Sequence, residues 1–80
     1  MERLQELINE PNLLTGDQIF EVIELIGNNG DIIIIKNDGL RIEDKFTVVI
    51  TFQGKSVRSD RDNLNDALIE CLKQYLSERN

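Results

Sequence analysis

Three rhythms of apolar and polar residues run along this chain, and each predicts a different element. From Asp60 onward, "DRDNLNDALIECLKQYLSER" sets Leu64, Ala67, Leu68, Cys71, Leu72, Tyr75 and Leu76 at i, i+3, i+4, i+7 spacing, with Ile69 widening the stripe. That is the period of an amphipathic helix. Asp60, Asp62 or Asn63 can cap it, since a side-chain oxygen there accepts from free first-turn amides and nearby acids complement the positive helix end. "KFTVVITFQ" alternates instead: Phe46, Val48, Ile50 and Phe52 fall on one side, Thr47, Val49 and Thr51 on the other. This is a strand with one buried and one wetter face. Its run extends from Leu40 to Phe52, with an interruption near Glu43 and Asp44. "QGK" then turns the chain into a third strand, "SVRS", with Val57 directed inward.

The third rhythm is the run "GDIIIIKNDG". Its β-branched content predicts a strand, and "NDG" is a hairpin signal. A strand points alternate side chains to opposite faces, so helices stacked on one side cover only two of Ile32, Ile33, Ile34 and Ile35. Burying the other two contributes about 3 to 6 kcal/mol, comparable with the whole stability margin of a small domain. Three covers present themselves: the N-terminal helix wrapping to the second face, a second copy of the chain, or another protein.

Upstream, "ERLQELI" places Leu4, Leu7 and Ile8 at helical spacing, and Pro11 limits that helix. In "TGDQIFEVIELIG", Thr15 and Gln18 have the spacing of a capping box. Ile19, Phe20, Ile23 and Ile26 are expected to share the buried face, with Glu21 and Glu24 opposite and Gly27 as the stop. The order predicts an α+β, two-layer α-β-β-β-α domain: a three-stranded antiparallel sheet with helices on one face, plus a short extra N-terminal helix. One domain is expected over 1–80, with 1–14 as N-terminal helix and connector and 15–80 as the core.

With that order laid out, "FTVVITFQGKSVRSDRDNLNDALIECLKQYL" resembles the second half of a double-stranded RNA-binding domain, and the likeness extends over Asp17 to Ser77. The resemblance implies a dsRBD-like fold. In that family the RNA contacts come chiefly from lysines opening the last helix, which reach phosphates. Aligned on Ala67, those places hold Leu64, Asn65 and Leu68, beside Asp60, Asp62 and Asp66, so the activity does not carry over. "DNLNDAL" is also similar to the helix start of HicB-type antitoxins, which would imply a small acidic protein neutralising a basic partner.

Nine basic against fifteen acidic side chains leave a net charge of −6 on 80 residues. The balance disfavours nucleic acid as a partner, because affinity for a phosphate backbone rises with each phosphate neutralised. A nucleic-acid-binding alternative would have to use Lys36, Arg41, Lys45, Lys55 and Arg58. No apolar run reaches the roughly 18 residues of a membrane span, and with a single cysteine the chain reads as cytoplasmic. There is no histidine, so the usual general base and the commonest metal ligand are missing. The pairs Glu43/Asp44 and Asp60/Asp62 read as bend and cap residues, Cys71 as a small buried hydrophobe, and "GNNG" as a turn. No enzyme, metal or cofactor is therefore expected. What remains is a small acidic protein-interaction or regulatory module, self-associating or bound to a protein partner through a sheet face of Ile33, Ile34, Ile35, Lys45, Thr47, Val49, Thr51, Ser56 and Arg58.

Overall fold

The computed structural model describes residues 1–9 and 13–79. In chain order they form α1 (Glu2–Asn9), α2 (Gly16–Asn28), β1 (Ile32–Asn37), β2 (Phe46–Phe52), β3 (Lys55–Arg61) and α3 (Leu64–Arg79). Pro11, expected to end the first helix, lies outside the described residues.

Local chemistry sets most boundaries. The capping box at α2 is formed: the Gln18 amide donates to Thr15 Oγ1 at 3.2 Å and the Thr15 amide to Gln18 Oε1 at 2.9 Å. The expected stop at Gly27 is not used. The helix runs on through Asn28, and Gly30, at φ 81°, supplies the left-handed residue that ends it. At α3 the cap is Asn63, whose Oδ1 accepts from the Asp66 amide at 2.9 Å. Asp60 is in β3 instead.

The sheet order is β1-β2-β3, antiparallel throughout. Between β2 and β3 the reversal is a two-residue turn with positive φ at both Gln53 and Gly54, whose twist matches the strands it joins. The "NDG" signal produces a turn but not a tight hairpin. Asp38 Oδ1 accepts from the Leu40 amide at 3.1 Å and its carbonyl from the Arg41 amide at 3.2 Å, and the chain then loops through residues 39–45 before β2 begins. β2 is accordingly shorter than its expected span from Leu40.

Ile33, Ile35, Val48, Ile50, Phe52 and Val57 point to one side, where α3 lies across β2 and β3 and α2 lies along β1. Ala67, Leu68, Cys71, Leu72, Tyr75 and Leu76 bury the expected α3 stripe. Phe52 and Tyr75 meet edge to face with centroids 5.2 Å apart. The Tyr75 hydroxyl and Arg79 Nε both donate to Asp31 Oδ2, at 2.5 and 2.8 Å, tying the end of α3 to the entrance of β1. Burial first, and that hydrogen bond second, push the Tyr75 pKa upward, so the hydroxyl remains a neutral donor.

One expectation about the helices changes, and one of the three possible covers falls away. In α2 the buried residues are Val22 and Ile26, flanked by Ile19 and Leu25, while Phe20 and Ile23 face solvent. The apolar stripe is wide enough to be read in two rotations, and packing against β1 and α1 selects one. The N-terminal helix does not wrap to the second face of the sheet. α1 packs on α2 and α3, with Leu4 and Leu7 buried and Arg3 Nε paired to Glu21 at 2.6 Å.

One buried hydroxyl, Ser59 Oγ, has no hydrogen-bond partner among the described residues. Replacing Ser59 by Ala removes an unsatisfied group, so urea unfolding should show stability unchanged or raised by up to about 1 kcal/mol. Leu72→Ala, in a fully shielded position, should lower stability by about 2 to 5 kcal/mol in the same titration.

Candidate interaction face

Because all three helices lie on one side, the other side of the sheet is open. Register places its residues in three cross-strand rows: Ile32–Thr51–Ser56, Ile34–Val49–Arg58 and Lys36–Thr47–Asp60. The first is apolar and hydroxylic, with Thr51 Oγ1 and Ser56 Oγ 2.9 Å apart. Ile32 and Ile34 are 57% and 55% exposed, the most exposed large apolar residues of the sheet.

The third row is electrostatic. Asp60 Oδ2 accepts from Arg58 Nε at 2.9 Å, and Asp60 Oδ1 accepts from an Arg41 guanidinium nitrogen at 3.1 Å and from the Thr47 hydroxyl. Hydrogen bonds from Arg58, Thr47 and Arg41 hold the Asp60 carboxyl well below the usual carboxylate range. Arg41 also donates to the Asp44 carbonyl at 3.1 Å and pairs with Asp38 at 3.4 Å. The 38–45 loop is thereby folded back over Thr47, which is buried beneath it. On either side of Arg41, Leu40 and Ile42 are each 97% exposed.

Of the expected face, Ile34, Thr47, Val49, Thr51, Ser56 and Arg58 are brought together. Ile33 and Ile35 are not: they point to the helix side and pack on the core, and Ile32 takes the place assigned to them. Lys45 precedes β2 and is half-buried in the loop, its carbonyl accepting from the Asp38 amide at 2.8 Å. Ile32, Lys36, Arg41 and Asp60 belong to the face but not to the expected set. Strand parity alone identifies Ile32 and Lys36 once Ile34 is placed, whereas Arg41 is brought in by the loop path.

The family-aligned positions at the start of α3 are occupied structurally. Asn65 Oδ1 accepts from the Leu14 amide at 2.8 Å and its Nδ2 donates to the Leu14 carbonyl, Leu68 is fully buried, and Leu64 is half-buried. Elsewhere, a shallow groove along α3 is lined by Arg61, Asp66, Ile69, Glu70 and Lys73, and its Arg61 is paired with Glu70. Cys71 is buried, its thiol donating to the Val48 carbonyl at 3.5 Å, and burial pushes its pKa up to about 12. It is a protonated thiol at neutral pH. Among the described residues no group of three or more His, Cys, Asp or Glu side chains could hold a metal ion, and no helix is long and apolar enough to cross a membrane.

No protein-family model, curated protein or solved structure matches the chain.

The Asp60 cluster has a definite pH signature. A carboxyl whose folded pKa lies below its unfolded value of about 3.9 contributes stability that is fully present well above that value and is lost progressively as pH falls from it toward the folded pKa. Asp60→Asn should lower the thermal midpoint near neutral pH, and the gap from the native chain should close as pH drops below about 4. A gap that stays constant across that range would show that the carboxylate contributes nothing through its charge.

Proposed function

We propose that this chain is a non-catalytic protein-interaction module that binds a protein surface across the open face of its sheet. The observation that carries the reading is the one-sided helix layer, which leaves Ile32, Ile34 and Val49 facing outward on a preformed, hydrogen-bonded platform. Covering two half-exposed isoleucines contributes on the order of 1 to 3 kcal/mol in total, from about 25 cal/mol per Å² of apolar surface. No backbone ordering opposes that gain, because the strands are already paired.

The polar part of the face supports a protein partner over a phosphate polymer. Arg58 pairs with Asp60, and Arg41 with both Asp60 and Asp38, so each of the two arginines nearest the apolar rows already has a carboxylate partner. Recognition there would rest on apolar contact and hydrogen bonds to Thr51 and Ser56, with the ion cluster at the rim. The buried, protonated Cys71 supports the non-catalytic half of the reading.

Ile32→Lys and Ile34→Lys each change a solvent-facing position, so circular dichroism should show the native fold. Tagged native chain should retain a protein from lysate in stoichiometric amount, and both variants should lose it. Retention of the same proteins by native chain and variants alike would remove the open face as the binding surface.

A further inference from the structure

We infer that the free edge of β1, with the outer flank of α2, docks a second copy of this chain, joining two sheets into one continuous sheet with the two α2 helices side by side. The inference rests on the reading of the chain as an interaction module and names a partner for it.

The two edges of the sheet differ in their protection. β3 carries Lys55, Arg58, Asp60 and Arg61 within seven residues, the charge-studded edge that discourages strand addition. β1 has four isoleucines in succession and one charge, Lys36, near its end. Its outward backbone groups form a template for another strand, and an antiparallel copy of the same edge matches it about a twofold axis. Directly opposed residues in such a pair point to the same side, so both helix layers fall on one side of the joined sheet. Centring the pair on Ile33 sets each Ile32 opposite the other copy's Ile34, gathering four exposed isoleucines into one cluster.

The helix layer carries a matching surface. Glu21, paired with Arg3, marks the flank of α2 turned toward α1. Helical spacing sets Gly16, Phe20, Ile23 and Gly27 on a stripe away from it, with Phe20 68% and Ile23 37% exposed. The stripe itself carries no acid: Asp17 and Glu24 border it on one side, and Glu21 lies farther round the helix. On a chain of net charge −6, an acid-free line of contact matters, because two copies repel wherever acids face acids. A Cβ at Gly27 would meet nothing within 4 Å, so the monomer has no need of glycine inside this helix, where it costs about 1 kcal/mol relative to alanine. Glycine there does allow a second helix to approach closely.

Helix and strand contacts fall at the same height. Ile23 lies six residues before the cap Asn29, about 9 Å at the helical rise, a length that a strand covers in roughly three residues. Counted from the turn into β1, this is the level of Ile33 and Ile34, so one axis serves both layers. A standard interface takes about 800 Å² from each partner. A flank about 20 Å long and two layers deep is at the small end of that range and suits a dimer that dissociates on dilution.

Sedimentation equilibrium of the full chain from low to high micromolar concentration tests this. The native mass should rise toward twice that of the chain, while Phe20→Glu and Ile23→Glu, both at exposed positions and both with native circular dichroism, should stay at the single-chain mass. Lys55→Glu, on β3 at the opposite edge of the sheet, should dimerise like the native chain. Amide exchange of residues 32–37 should slow with concentration in the native chain and not in Ile23→Glu. A single-chain mass throughout, or a dimer indifferent to both helix substitutions, overturns the inference. If the chain is a monomer yet still retains a protein lost in Ile34→Lys, the second copy is wrong and the open-face reading stands. A dimer with the expected sensitivities that retains no other protein supports the second copy and removes the open face as a site for a different partner.

Discussion

Everything else in this protein depends on α3 lying across β2 and β3. Its Leu68, Cys71, Leu72 and Tyr75 are completely shielded, and they convert a three-stranded sheet, marginal by itself, into the floor of a core. α1 leans on α3, and α2 packs on β1 and α1, so the N-terminal half joins the structure through these secondary contacts. Asp31 reinforces the arrangement by accepting from Tyr75 and Arg79 at once, a carboxylate deep in the fold but paired with a cation and a hydroxyl. A small domain has room for one such core. One consequence is that the sheet has a single covered face.

The open face is the complement of that constraint, and its polar groups are arranged to tolerate exposure. Threonine and serine hydroxyls pair across strands, and Asp60 draws Arg58 along its own strand and Arg41 out of the loop. The same clamp fixes the 38–45 loop and leaves Leu40 and Ile42 extended into solvent. Exposed apolar residues thus fall in three places: the open face, the outer flank of α2, and the loop tip. The first two adjoin the unguarded strand β1, and the opposite edge, β3, is charged along its length.

The composition of the open face is set by contacts that local sequence does not encode. Four identical isoleucines carry no parity signal: Ile32 and Ile34 could be exchanged with Ile33 and Ile35 without changing the pattern, and only pairing with Val49 and Val48 decides which pair turns outward. In α2, Ile19, Phe20, Val22, Ile23, Leu25 and Ile26 cover more than half of the helix circumference. The rotation was therefore set by what α1 and β1 could accept. Lys45 falls outside the face because the turn at Asp38 closes through its own side chain and extends into a loop that holds Lys45 ahead of β2.

Period, capping and turn chemistry were sufficient from sequence alone for the element order, the Thr15–Gln18 box, the α3 stripe, the inward set of β2 and the Gln53–Gly54 reversal. These are decided within a few residues by backbone sterics and by local donors and acceptors. Tertiary structure alone decided which isoleucines are exposed, which side of α2 is buried, where α1 docks and that Arg41 joins Asp60. Those outcomes depend on contacts between segments distant in sequence, where several local solutions are equally good and the shared core admits only one.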